Sequence, residues 1–390
     1  MRANTWMNRL VGLLGALVLA GLLLPGCESG DISGDETCDD GVRNGDETDV
    51  DCGGSCTPCP DGRDCNRDGD CQSGFCDDGT CTVSDQDLCP NDPNKTAPGM
   101  CGCGVPEQPG CQGDLVIDHN DTNLNAIPAA AIETAKQQLH IAYQHTSHGS
   151  QLITGMTALE SYPDYGGRYA WDDSGQAAGS LDLDDYGIPG CADLSQGDSV
   201  DANGDTPWVV ASRELLDNPS NDHVNVVVWS WCSIDGHDAQ RYVDNMEKLV
   251  AEYPDVTFVF MTGHAQGQSE DTTPNSVHYN NQLIRQHCAD HDRWLFDFAD
   301  IEAYDPDGVY YWDQVLQDNL DYDGGNWAVE WCAANPDSEL TKLTTGTGVD
   351  GYDGCNGCAH SDSPQQANLN CVLKGRAAWN LWARIAGWGG

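Results

Sequence analysis

From about residue 113 onward the chain alternates short, largely apolar runs with longer stretches in which apolar residues recur every three or four positions. The runs at 139–144, 224–229, 256–261 and 294–298 are too short for buried helices. They predict β-strands buried on both faces. The helical period predicts helices at 129–138, 151–160, 207–216, 239–252, 277–289 and 365–385. Thr206 and Pro207 supply a cap and a first-turn proline to the third of these, and Trp379, Leu381, Trp382 and Ile385 lie on or near one face of the last. Strand and helix in alternation predict an α/β domain over residues 113–390, a parallel sheet with helices on both faces. The stretch 161–205 is rich in Gly and Asp and lacks a clear period. It predicts a long loop with one weak strand.

The first 112 residues follow neither pattern. Arg2 and Arg9 flank the start of an apolar stretch at 10–24 that is short for a membrane span and closes on Leu24-Pro25-Gly26-Cys27, so residues 1–26 predict an export signal. Residues 28–37 form a polar tether. Twelve cysteines follow between Cys38 and Cys111 with almost no large apolar side chains, so this stretch cannot build a core and disulfides must hold it. Export places the 20 cysteines in an oxidising compartment. Seven more lie beyond Cys111: Cys191, Cys232, Cys288, Cys332, Cys355, Cys358 and Cys371. Seven is odd, and Cys232, just past a strand, is the expected free thiol. Zinc on Cys355 and Cys358 competes with pairing but lacks a second C-x2-C nearby.

Charge narrows the partners. With 17 basic and 63 acidic residues the net charge is −46, which repels nucleic acid and anionic membrane surfaces and leaves the membrane reachable only through a lipid anchor. The same excess suits Ca²⁺, which takes oxygen ligands. Asp64, Asn66, Asp68 and Asp70 alternate around Gly69 as in the opening of a calcium loop, but Phe75 stands where a closing Glu belongs. Calcium is one reading of this region, and ordinary turn formation is the other.

Three resemblances organise this half. The Leu24–Cys27 ending resembles a bacterial lipoprotein signal, which implies that Cys27 is acylated and that the protein is extracytoplasmic, anchored by lipid at the outer membrane or cell surface. The run from Cys38 to Gly54, with Asp40-Gly41, Asn44-Gly45-Asp46-Glu47-Thr48-Asp49 and Asp51-Cys52-Gly53, resembles small cysteine-rich modules of surface proteins in some gliding bacteria. Residues 89–104 resemble a thrombospondin type 3 repeat, a calcium-binding spacer. Residues 27–112 therefore read as a lipidated, cysteine-rich stalk.

The candidate chemistry sits at the strand ends, where loops of a parallel sheet converge on ligands. His145-Thr146-Ser147-His148-Gly149 follows the first strand, Trp229-Ser230-Trp231-Cys232 the second and Thr262-Gly263-His264 the third. Ser147 precedes a helix whose first amides could stabilise negative charge, which suits a nucleophile; a helix cap is the plainer job for a serine there. His360, in Gly357-Cys358-Ala359-His360-Ser361-Asp362, comes shortly before the last helix.

This order resembles the SGNH, or GDSL, hydrolase superfamily over residues 135–390, which implies a flavodoxin-like fold with Ser147 as nucleophile and His360 as general base. His145-Thr146 stand where that family has Gly-Asp, and Gly357 where it has the aspartate, so Asp353 or Asp362 is expected to orient His360. The family's oxyanion asparagine is absent; Gly149 with nearby amides, Ser230 or Ser233 would replace it. Gly187 and Gly190 are candidates for its second-block glycine. His264 would donate to the oxyanion, touch substrate, join His145 and His148 on a metal, or be a satisfied structural histidine. Trp231, with Trp229, Trp171 and Tyr165, would stack on sugar faces, or serve the more common role of plain core or pocket wall. The expected activity is that of an esterase or deacetylase on carbohydrate or another extracellular ester, needing no cofactor. An inactive polysaccharide binder and a histidine-metal hydrolase are the alternatives.

Overall fold

A computed structural model describes residues 115–390 except 197 and 198, together with scattered residues between 42 and 81. The stretches read as an export signal, tether and 89–104 repeat, Cys27, and Asn66, Asp68, Asp70 and Phe75 of the expected calcium motif lie outside the described residues. Within the cysteine-rich region, disulfides join Cys52 to Cys59 and Cys71 to Cys81, and Cys76–Asp77 pairs with Thr80–Cys81 in a short hairpin. Buried half-cystines form the small core there, as expected of a stretch poor in apolar residues.

Seven parallel strands form the main sheet: β1 (Val116–Ile117), β2 (His140–Gln144), β3 (Trp171–Asp172), β4 (Leu181–Asp185), β5 (Val226–Trp229), β6 (Thr257–Met261) and β7 (Leu295–Phe296). They lie in the order β1-β7-β6-β5-β2-β4-β3. Without the two-residue edge strands β1 and β3, the chain order across the sheet is 2-1-3-4-5, the flavodoxin-like arrangement. The chain leaves β2 toward β4 on one side and later returns to β5 on the other. The crevice beyond the carboxyl ends of β2 and β5 is therefore the topological switch point, and Gln144 pairs there with Trp229.

Nine helices accompany the sheet in the described chain: α1 (Ala129–Gln138), α2 (Ser150–Ser161), α3 (Pro207–Leu216), α4 (Ala239–Glu252), α5 (Val277–His291), α6 (Phe298–Ala303), α7 (Trp327–Ala334), α8 (Glu339–Thr345) and α9 (Leu369–Ile385). α1 and α2 pack on α9 along one face, while α3, α4 and α5 form a row on the other. α2 and α9 touch backbone to backbone at Gly155 and Gly375. A Cβ on Gly155 would lie 1.8 Å from Cys371 O, and one on Gly375 would lie 2.3 Å from the Gly155 carbonyl carbon. This crossing fixes α2, and with it the turn that carries Ser147.

Three expectations change. The 161–205 stretch holds two strands, β3 and β4, because Leu181 and Leu183 point inward while acidic residues alternate with them on a wetter face near the sheet edge. The 294–298 run supplies only two strand residues; Asp297 then caps α6 through the Asp300 amide. Among the seven later cysteines, Cys358 pairs with Cys371, and Cys191, Cys232, Cys288, Cys332 and Cys355 are free, where one free thiol was expected. Four of the five are buried, Cys288 on α5, Cys332 on α7, and Cys191 and Cys355 in loops. The Cys358–Cys371 bond also takes one ligand from the zinc reading. Among the described residues no helix is long and apolar enough to cross a membrane.

Candidate functional site

The chain leaves β2 through His145 and Thr146 and tightens into a single 3-10 turn, Ser147–Gly149, before α2 begins. Ser147 has φ 47°, a left-handed conformation that is costly for a residue with a Cβ and occurs where a tight turn holds a side chain in place. His360 has φ 65° in the turn ahead of α9. These two residues meet: Ser147 Oγ and His360 Nε2 share a hydrogen bond across 213 positions of sequence. The His360 side chain is 42% exposed, so the pair opens to solvent. Cys358–Cys371 ties the His360 turn to α9.

Two further imidazoles stand behind His360. His148 lies face to face with His360 at 3.9 Å and with His264 at 3.4 Å, each pair tilted by 11°. Asp318 runs along the edge of this stack. Its Oδ2 accepts from His148 Nε2 at 2.9 Å and lies 3.6 Å from His360 Nδ1, an ion-pair distance longer than a hydrogen bond. Burial works against the Asp318 charge, but the hydrogen bond from His148 and the nearby rings hold its carboxyl below the usual range. Burial, then His148, lowers His360 below an ordinary histidine while Asp318 opposes. Burial, then His148, pushes His264 down to about 4.

A buried polar scaffold supports the loops. Lys374 on α9 donates to Glu302 Oε1 at 2.5 Å and to Gln151 Oε1, and Glu302 Oε2 accepts from the Ala265 amide at 2.7 Å. Asn370 Nδ2 and Ser361 Oγ both donate to the Asp318 carbonyl, at 3.1 and 2.7 Å. Gln151 Nε2 donates to Ala359 O at 2.6 Å. Thus α2, α6 and α9 hold the residues flanking His264, Asp318 and His360 at once.

Several expected roles move. Asp353 and Asp362 are exposed, and the carboxylate facing His360 is Asp318. Positive-φ turns at Gly354 and Gly357 shape the loop between those two aspartates, whereas the scaffold anchors the Asp318 backbone. Nothing in the sequence marks Asp318, one of 63 acidic residues, in a segment without period. The Gly149 amide donates to Thr146 O at 3.0 Å, and a Cβ on Gly149 would lie 2.1 Å from Ser230 Oγ. Close packing, not oxyanion binding, is what requires this glycine. Ser230 is buried beneath it.

Trp231 is a core residue whose Nε1 donates to Met261 O at 3.1 Å, and Trp229 is likewise buried with its Nε1 on Ser212 Oγ. Neither offers a sugar platform. Tyr165 donates to Glu339, and Trp171 lies in the edge strand β3. Gly187 donates to Tyr143 O, and Gly190 packs near Ala211. The ring nitrogens of His264 face Ala265 O at 2.7 Å and Cys232 O at 2.8 Å, which leaves neither for an oxyanion. His145 is buried with Nε2 2.5 Å from Asp185 Oδ1, between Tyr143 and Tyr186, and stands outside the stack.

His148, His264 and Asp318 do bring three ligand atoms within 4.8 Å of one another. The two rings are nearly parallel, however, and an imidazole lone pair lies in its ring plane, so the two lone pairs cannot converge on an ion about 2.0–2.1 Å from each nitrogen. The stack fits carboxylate and ring contacts better than a metal. Comparison with protein-family models, curated proteins and solved structures finds no match.

Proposed function

We propose that this chain is an extracytoplasmic serine esterase or deacetylase acting on carbohydrate or another extracellular ester, displayed on a lipid-anchored, cysteine-rich stalk. The observation that carries the reading is the hydrogen bond between Ser147 Oγ and His360 Nε2 at the switch point of a parallel sheet. Ser147 Oγ attacks the acyl carbon while His360 Nε2 takes its proton. The amides of the Ser147–Gly149 turn that precedes α2 are the donors assigned to the oxyanion in this reading. His360 then returns the proton to the leaving oxygen, and water releases the acyl group by the reverse steps. Asp318 balances the imidazolium formed in between. The disulfides in both regions favour an oxidising compartment, in keeping with export.

A fluorophosphonate probe tests the reading. It is expected to label the wild-type chain and to leave Ser147→Ala unlabelled; equal labelling of both, or of neither, overturns it.

A further inference from the structure

His148 is not the base, yet it touches every part of the base's setting. It is 6% exposed, covered on one face by His360 and on the other by His264, with Asp318 at its edge. These are the titratable groups that face it. Its Nδ1 is buried without a partner among the described residues, whereas Nε2 meets a carboxylate oxygen that can only accept. The ring proton therefore belongs on Nε2.

His148 Nε2 and His360 Nδ1 approach the same oxygen, Asp318 Oδ2. The buried ring thus holds the carboxylate by its edge, and its flat face sets the plane in which the exposed ring lies. Resting on the reading of Ser147 and His360 as nucleophile and base, we propose that His148 is a positioning residue that fixes both Asp318 and the His360 ring for proton transfer from Ser147. The acid and the base come from different loops, and His148 touches both. The adjacent position in sequence is part of the device: from one turn, Ser147 reaches His360 Nε2 while the more buried His148 lies against the face of the same ring.

Two substitutions separate the components. His148→Gln keeps an N–H near the position of Nε2 and loses the ring; His148→Phe keeps a flat ring and loses the N–H. The full chain and both variants are assayed on p-nitrophenyl acetate across pH, with circular-dichroism melts to establish folding. His148→Phe is expected to lower kcat roughly 10²-fold with KM nearly unchanged, the scale on which general-base catalysis contributes. His148→Gln is expected to recover about tenfold of that loss, a rescue on the scale of a supporting contact. It is also expected to move the acid limb of the rate profile to higher pH, because a neighbour that lowers the His360 value has gone.

Wild-type turnover in both variants overturns the proposal, as does a folded His148→Gln no more active than His148→Phe. If His148→Phe does not fold, the limb in His148→Gln decides, and an unmoved limb overturns it. Probe labelling keeps the two readings apart. Loss of labelling in Ser147→Ala with unaltered His148 variants removes only the positioning role, whereas labelling that survives Ser147→Ala removes the parent reading.

Discussion

Lys374 Nζ lies 2.5 Å from Glu302 Oε1, and neither side chain has any exposure. The ammonium also sits 3.6 Å above the Phe298 ring, and burial lowers its pKa to about 8 despite the carboxylate. Glu302 meanwhile holds the amide next to His264. Removing one partner leaves an uncompensated buried charge, so Lys374→Met is expected to destabilise the domain by about 3–5 kcal/mol. The double variant Lys374→Met with Glu302→Leu should recover much of that loss. Urea denaturation of the wild type, the single and the double variant measures the coupling.

Substitution tests whether Asp318 is the acid of the proposed mechanism. On the proposed mechanism Asp318→Asn keeps the shape and removes the charge that balances the imidazolium, so kcat for an ester substrate is expected to fall about 10²- to 10⁴-fold. Asp353→Asn and Asp362→Asn change exposed carboxylates outside the pair and should remain within about twofold of wild type, as surface substitutions generally do. Equal losses in all three variants would count against Asp318.

Much of the scaffold was legible because local rules and tertiary packing agree. α1, α3 and α4 keep the limits read from their periodicity, helped by Pro207 at the first turn of α3 and Asp238 capping α4 through the Arg241 amide. α9 is harder to read: every residue from Leu369 to Ala383 is buried, charged Lys374 and Arg376 included, so no polar face advertises the helix. Ser147 and His360 stood out by their places at a strand end and before the last helix. Asp318 did not, since its position depends on contacts from Ser361 and Asn370 that only the folded chain provides. The histidine stack was likewise hidden. His145 and His148 look equivalent on one turn, but one goes to Asp185 beside an edge of the sheet and the other to Asp318.

Gly155 on α2 offers a sharper packing test than any apolar core position. Its missing side chain leaves room for the Cys371 carbonyl, so Gly155→Ala must separate two helices rather than shift a rotamer. Overpacking of this kind typically costs about 1–3 kcal/mol. Because α2 starts at the Ser147 turn and α9 carries Lys374, the same variant should also lower turnover. A denaturation curve and an esterase assay on one preparation check both, and unchanged stability would refute the close crossing.

Acid should weaken the fold through His264. Its value in the folded chain is lowered from 6.5 to about 4, so between these limits the unfolded chain binds more protons than the native one. The stabilisation is complete above about pH 6.5 and is lost as pH falls toward 4, amounting to up to about 3 kcal/mol. His264→Phe retains a flat ring against His148 but cannot take up that proton. Its stability should therefore fall less steeply over this interval than that of the wild type, even if its absolute value is lower. Midpoints of urea unfolding measured at half-unit steps from pH 4 to 7 give the two slopes, and parallel curves would show that the buried imidazole is not the group responsible.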